Sequence, residues 1–123
     1  MKNIYLHLNT RDEFLRMDIS KIVYFEADGN YTNIMLANKL KSVVCMNLAR
    51  MQQILTDSLK ENARTFVRVG KKYIINHAYV CQINVLRQNL VLSDGASFTF
   101  QLDISKEALK GLRELYLAPS GKE

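Results

Sequence analysis

Two short stretches carry the side chains best suited to chemistry. Asp28-Gly29-Asn30-Tyr31-Thr32 sets short polar groups and an aromatic ring around a glycine, and Gly70-Lys71-Lys72 sets two ammonium groups side by side, just after Arg68. From Asn62 to Ser93 stand Arg64, Arg68, Lys71, Lys72 and Arg87 with no acidic residue, whereas the rest of the chain carries as many acids as bases. Such a cluster is the footprint of polyanion binding, because each Lys or Arg placed on a phosphate releases condensed counterions. The competing reading is a solvated face of a basic protein. In it Asn30 is a turn former, Tyr31 a half-exposed strand aromatic, and Arg68 the partner of a carboxylate at the edge of the core. Lys71 and Lys72 fit that reading least, since two consecutive loop lysines leave at least one able to reach a phosphate.

Catalytic chemistry finds no comparable spacing. The chain has no Gx4GK[ST] phosphate loop, GxSxG elbow, HExxH helix or GxGxxG fingerprint. His7 and His77 are far apart in sequence, and Cys45 and Cys81 form no ligand pair. Each thiol sits in a strand-like apolar context, where it is expected to behave as a small hydrophobe. The expectation is a protein that is not an enzyme and needs no cofactor or metal.

The elements that must position these side chains follow from periodicity. Ile4, Leu6 and Leu8 alternate as in a strand, Thr10-Arg11-Asp12 turns, and Phe14, Leu15 and Met17 suggest a second strand. Asp18-Ile19-Ser20 leads as a helical turn into a strand at 22–27, and Asp28-Gly29-Asn30 reads as a hairpin turn because Gly29 can take positive φ. Strands at 31–36 and 40–44 follow. Leu48, Met51, Ile54, Leu55 and Leu59 recur at helical spacing behind Asn47, whose side chain suits an N-cap. Strand character returns at 66–69, 73–75, 80–86, 90–92 and 98–100, with Asp94-Gly95 a second hairpin turn. A last helix capped by Ser105 is expected to bury Ala108, Leu109, Leu112 and Leu115.

The chain of 123 residues, 48% apolar and 24% charged, matches one ordinary globular domain. No apolar run approaches the roughly 20 residues that span a bilayer, and Met1-Lys2-Asn3-Ile4-Tyr5 lacks the apolar core of a secretory signal. A cytoplasmic protein with no membrane contact is expected. The fold class is mainly β with two helices, a β-rich α+β arrangement.

Ile22-Val23-Tyr24-Phe25-Glu26-Ala27-Asp28-Gly29-Asn30-Tyr31-Thr32, the helix after Asn47, and Phe66-Val67-Arg68-Val69-Gly70-Lys71-Lys72-Tyr73-Ile74-Ile75-Asn76 together resemble the LytTR family of bacterial DNA-binding domains. The order, the spacing and the Asp94-Gly95 turn agree over roughly 19–115. The resemblance implies an elongated set of small antiparallel sheets that reads successive major grooves through loops, and a two-component-related transcription regulator. It divides the chain into N-terminal strands at 1–18, a LytTR-like domain at 19–117 and a frayed tail at 118–123.

Carried over by position, Asn30 and Tyr31 match the family's first contact loop. Lys71 and Lys72 match the end of its F-x-R-x-H-[RKN]-S stretch, Arg68 matches its arginine, and Gln101 lies where the last strand often ends in a base-reading arginine. This chain departs from the pattern: Gly70 replaces the histidine, Lys72 replaces the serine, and the arginine near Gln101-Leu102 is absent. A bidentate arginine on guanine is worth about 1–3 kcal/mol of discrimination. These departures are expected to alter or reduce specific reading while Lys71 and Lys72 keep phosphate affinity. Because the chain has no room for the receiver domain that commonly precedes this family, the expectation is a stand-alone regulator that binds duplex DNA, by sequence, at Asn30, Tyr31, Arg68, Lys71, Lys72 and Gln101. The alternative is a degenerate relative that serves as a protein-interaction module. Homodimerisation through the strand edge at 4–8, or a regulatory protein partner, completes the expectation.

Overall fold

The computed structural model describes residues 3–117, so the tail expected at 118–123 lies outside the described residues. The strands form three antiparallel sheets, and the chain divides into two compact units after Ala78.

In the first unit β1 (Tyr5–Asn9) and β2 (Phe14–Asp18) make a hairpin in the register Tyr5↔Asp18 to Asn9↔Phe14. Its alternation sends Leu6, Leu8 and Met17 into the same core as Phe25, Ile34 and Ile74. Asp18 caps the helical turn that follows, accepting from the Ser20 amide at 2.9 Å. A five-stranded sheet then forms in the order β5-β4-β3-β7-β6 from β3 (Ile22–Asp28), β4 (Tyr31–Leu36), β5 (Lys41–Val44), β6 (Phe66–Val69) and β7 (Tyr73–Asn76). A register shift between Ile22 and Tyr24 lets four consecutive residues, Ile22 to Phe25, be buried.

Helix α1 (Leu48–Leu59) lays Leu48, Met51, Leu55 and Leu59 into that core. The Asn47 carboxamide accepts from the Arg50 amide at 2.8 Å, satisfying one of the free N–H groups at the helix start. The helix ends at Lys60, whose φ of 55° breaks the right-handed path, and a 3₁₀ segment fills 60–65, where the sequence shows no apolar period. Phe25 meets Phe66 edge-on with ring centroids 5.3 Å apart, near the centre of the core.

The second unit holds β8 (Val80–Asn84), β9 (Asn89–Ser93) and β10 (Thr99–Asp103) in the order β10-β9-β8, followed by α2 (Lys106–Leu117). Strand β8 ends before Leu86, which is 78% exposed, and the chain turns at Gln88 with φ 55°. The Asp94-Gly95 pair does not close a two-residue turn. Asp94 instead organises a longer loop, accepting from the amides of Ala96, Ser97 and Phe98 and from the Ser97 hydroxyl, so β10 starts at Thr99. These bonds hold the exposed Asp94 carboxyl well below the usual carboxylate range, the Ser97 hydroxyl contributing most. Ser105 caps α2, but only Leu109 and Leu112 are buried on it; Ala108 is intermediate and Leu115 is 59% exposed. Cys45 and Cys81 are likewise exposed, not packed as expected.

Candidate nucleic-acid interface

Strand pairing decides which loops share an end of the five-stranded sheet. Strand β3 runs up to the 28–31 turn and β4 returns from it, in the register Asp28↔Tyr31. Strand β7 is antiparallel to β3 with Glu26 opposite Tyr73, so it begins where β3 ends, and the Ala27 amide extends the ladder to the Lys72 carbonyl at 2.8 Å. The Gly70-Lys71-Lys72 tip between β6 and β7 therefore stands at the same end as Gly29-Asn30. Two hairpin tips 40 residues apart in sequence become neighbours through one central strand. That pairing is long-range and has no signature in local periodicity.

Further segments reach this end. Thr32 donates its hydroxyl to the Met46 carbonyl at 2.8 Å, so α1 starts here with the positive end of its dipole. The β1–β2 turn, Thr10 to Glu13, lines one open cleft of about 360 Å³ with Tyr31 and with Val43 to Cys45. Neither that turn nor the start of α1 was among the expected site residues. The alternation of Ile4, Leu6 and Leu8 revealed the strand but not what its turn would face.

The candidate side chains differ in how free they are. Asn30 and Tyr31 are exposed, Tyr31 at 48%, and no other described residue engages the Asn30 side chain. Lys71 is exposed and makes no ion pair among the described residues. Lys72 is tied back: its ammonium lies 3.3 Å from a Glu26 carboxylate oxygen, which also stands 3.5 Å from the Tyr73 hydroxyl. Behind this pair Tyr24 packs edge-on to Tyr73 at 5.9 Å. Burial, reinforced by the Glu26 carboxylate, pushes the Tyr24 hydroxyl up to about 12.

Among the described residues Arg68 pairs with no carboxylate, which corrects the pairing expected of it as part of a solvated face. Its guanidinium donates to the Gly70 carbonyl at 3.0 Å, the Lys71 carbonyl at 3.0 Å and the Gln52 side-chain oxygen on α1 at 2.8 Å. Gly70 takes φ 66°, a region open to glycine, and in doing so turns its carbonyl onto the arginine. Arg68 thus holds the shape of the tip. Gln101, in the second unit, sits in the middle of β10 opposite Val91, exposed on an edge strand and not at a loop.

A second set of cations stands at the other end of the five-stranded sheet, where Lys39 lies in the β4–β5 turn, Lys41 opens β5 and the Lys21 carbonyl accepts from Ala37 at 2.8 Å. Among the described residues no group of three or more His, Cys, Asp or Glu side chains gathers as metal ligands would, and no helix is long and apolar enough to cross a membrane.

Comparison with known proteins agrees with this architecture. No curated protein matches the chain. Among solved structures it is similar to the LytTr DNA-binding domain assigned to a methyl-accepting/DNA response regulator of Bacillus cereus, with 20% identity and a TM-score of 0.60 over 94% of this chain and 98% of that chain. At that identity the likeness is one of fold. A family model described as the LytTr DNA-binding domain matches residues 12–116, nearly all of both units, and the chain belongs to the LytTR family of DNA-binding domains.

Proposed function

We propose that this protein binds duplex DNA by sequence as a transcription regulator, that the tips at Asn30-Tyr31 and Lys71-Lys72 enter the groove side of the duplex, and that its 123 residues suffice for binding. The observation that carries the reading is the shared end of the sheet: the register of β3 with β4 and β7 sets an unengaged carboxamide, an exposed ring and a free ammonium side by side. Side chains of these types supply both base-edge and phosphate contacts. Gln101 offers a further polar contact from β10, and Arg68 acts by holding the tip.

Selection of the purified protein on random duplexes, then anisotropy titration of the winner and a scrambled control at two salt concentrations, tests the reading. An enriched motif preferred by about a thousandfold supports a specific regulator. Equal binding to both duplexes overturns specific reading.

The protein-interaction alternative is favoured by one observation, the exposed apolar rim of Phe14 at 60%, Tyr31 at 48% and Val43 at 49% in the first unit. An apolar interface there keeps its affinity in high salt, whereas DNA binding does not. A homodimer through the outer edge of β1 is proposed on the same footing. Leu6 and Leu8 belong to the core, so deleting the strand would unfold it, and sedimentation of the intact chain is the suitable test.

A further inference from the structure

Two consecutive carbonyls of the β6–β7 tip, Gly70 and Lys71, converge on one guanidinium, and the next, Lys72, accepts from Ala27. In a trans peptide the N–H of the next residue points opposite to the carbonyl. The amides of Lys71 and Lys72 therefore point away from Arg68, toward the exposed side of the tip, and neither donates to another described residue. The Lys71 ammonium rises from the same peptide units.

We propose that the Lys71 and Lys72 backbone amides form a cradle for one DNA backbone phosphate, and that Gln52 on α1 is its positioning residue, acting through Arg68. The inference rests on the DNA-binding reading and names a subsite within it. Outward N–H groups are suited to phosphate oxygens, and they act with no sequence preference. Arg68 reaches both carbonyls only if its planar fork is held in one orientation, and the Gln52 oxygen at 2.8 Å is what holds it from the helix. Gln52 itself is an exposed helix residue that the sequence offered no reason to single out.

The test is an anisotropy titration of the full chain on specific and scrambled duplexes at two salt concentrations. The variants are Gln52→Met, Arg68→Lys, their double, Lys71→Ala, and a chain with the α-hydroxy acid analogue of lysine at 71, which deletes one N–H and keeps the side chain. The ester chain and Gln52→Met are expected to bind both duplexes about three- to tenfold more weakly, with an unchanged salt slope because no charge is lost. Lys71→Ala lowers the slope by about 0.9. The double variant binds no more weakly than Arg68→Lys alone, since Gln52 acts only through the arginine. Wild-type binding by both the ester chain and Gln52→Met, or additive losses in the double variant, overturns the cradle while leaving DNA binding in place. Failure of the unaltered chain to bind either duplex at the lower salt concentration overturns the DNA reading itself.

Discussion

Glu26 restrains one of the two tip lysines, and removing its charge should strengthen DNA binding. The carboxylate lies 3.3 Å from the Lys72 ammonium, with side chains 27% and 58% exposed. In water-like surroundings a contact at that distance is worth about 1 kcal/mol, and an exposed pair of this kind adds little to stability. Glu26→Gln keeps an acceptor for the Tyr73 hydroxyl and frees Lys72 to neutralise a phosphate. One further phosphate neutralised steepens the dependence of log K on log salt by about 0.9 and adds about 1 kcal/mol near physiological salt, roughly fivefold in affinity. The gain should be about 3.5 times larger at 50 mM than at 200 mM salt. Anisotropy titration at those two concentrations measures it, with thermal unfolding to confirm that the fold is intact. Weaker binding, or a gain that does not depend on salt, would refute the view that Lys72 faces a phosphate once released.

Lys71→Ala should weaken binding on every duplex, while Lys39→Ala, at the opposite end of the sheet, should leave affinity unchanged at moderate salt. Asn47→Ala should cost about 1 kcal/mol in denaturant unfolding by removing the cap on α1. Phe25→Ala should cost about 3–5 kcal/mol, because the ring is fully buried against Phe66 and the core cannot close over the space. The Asp94 carboxyl should titrate below its ordinary range in an NMR pH series. Its lowered value means that the loop's stabilisation is complete above the unfolded carboxyl's range near 3.9 and is lost as pH falls through the folded value. Asp94→Ala should abolish that dependence.

Much of the first unit was legible because its rules are local. Leu6 and Leu8 alternate, Gly29 marks a turn with φ 62°, and Asn47 caps the helix behind it. Residue types marked the candidate tips, family resemblance matched them to contact loops, and strand register supplied their proximity, which depends on β3 pairing with a strand nearly fifty residues later. Other features were hidden for identifiable reasons. The acceptors of Arg68 are two carbonyls and an amide, groups that leave no charge pattern in a sequence. The β9–β10 loop is set by one carboxylate accepting from three backbone amides, so the Asp94-Gly95 pair looked like a tighter turn than it is. Leu115 has the spacing of a buried residue, yet burial on α2 stops at Leu112.

The most direct test is an NMR titration of the ¹⁵N-labelled chain with duplex DNA. Shifts concentrated at the amides of Gly29, Asn30, Tyr31, Lys71 and Lys72, with Lys39 and Lys41 unmoved, are the expected result. Shifts centred on the β4–β5 turn, or none at either end of the five-stranded sheet, would contradict it.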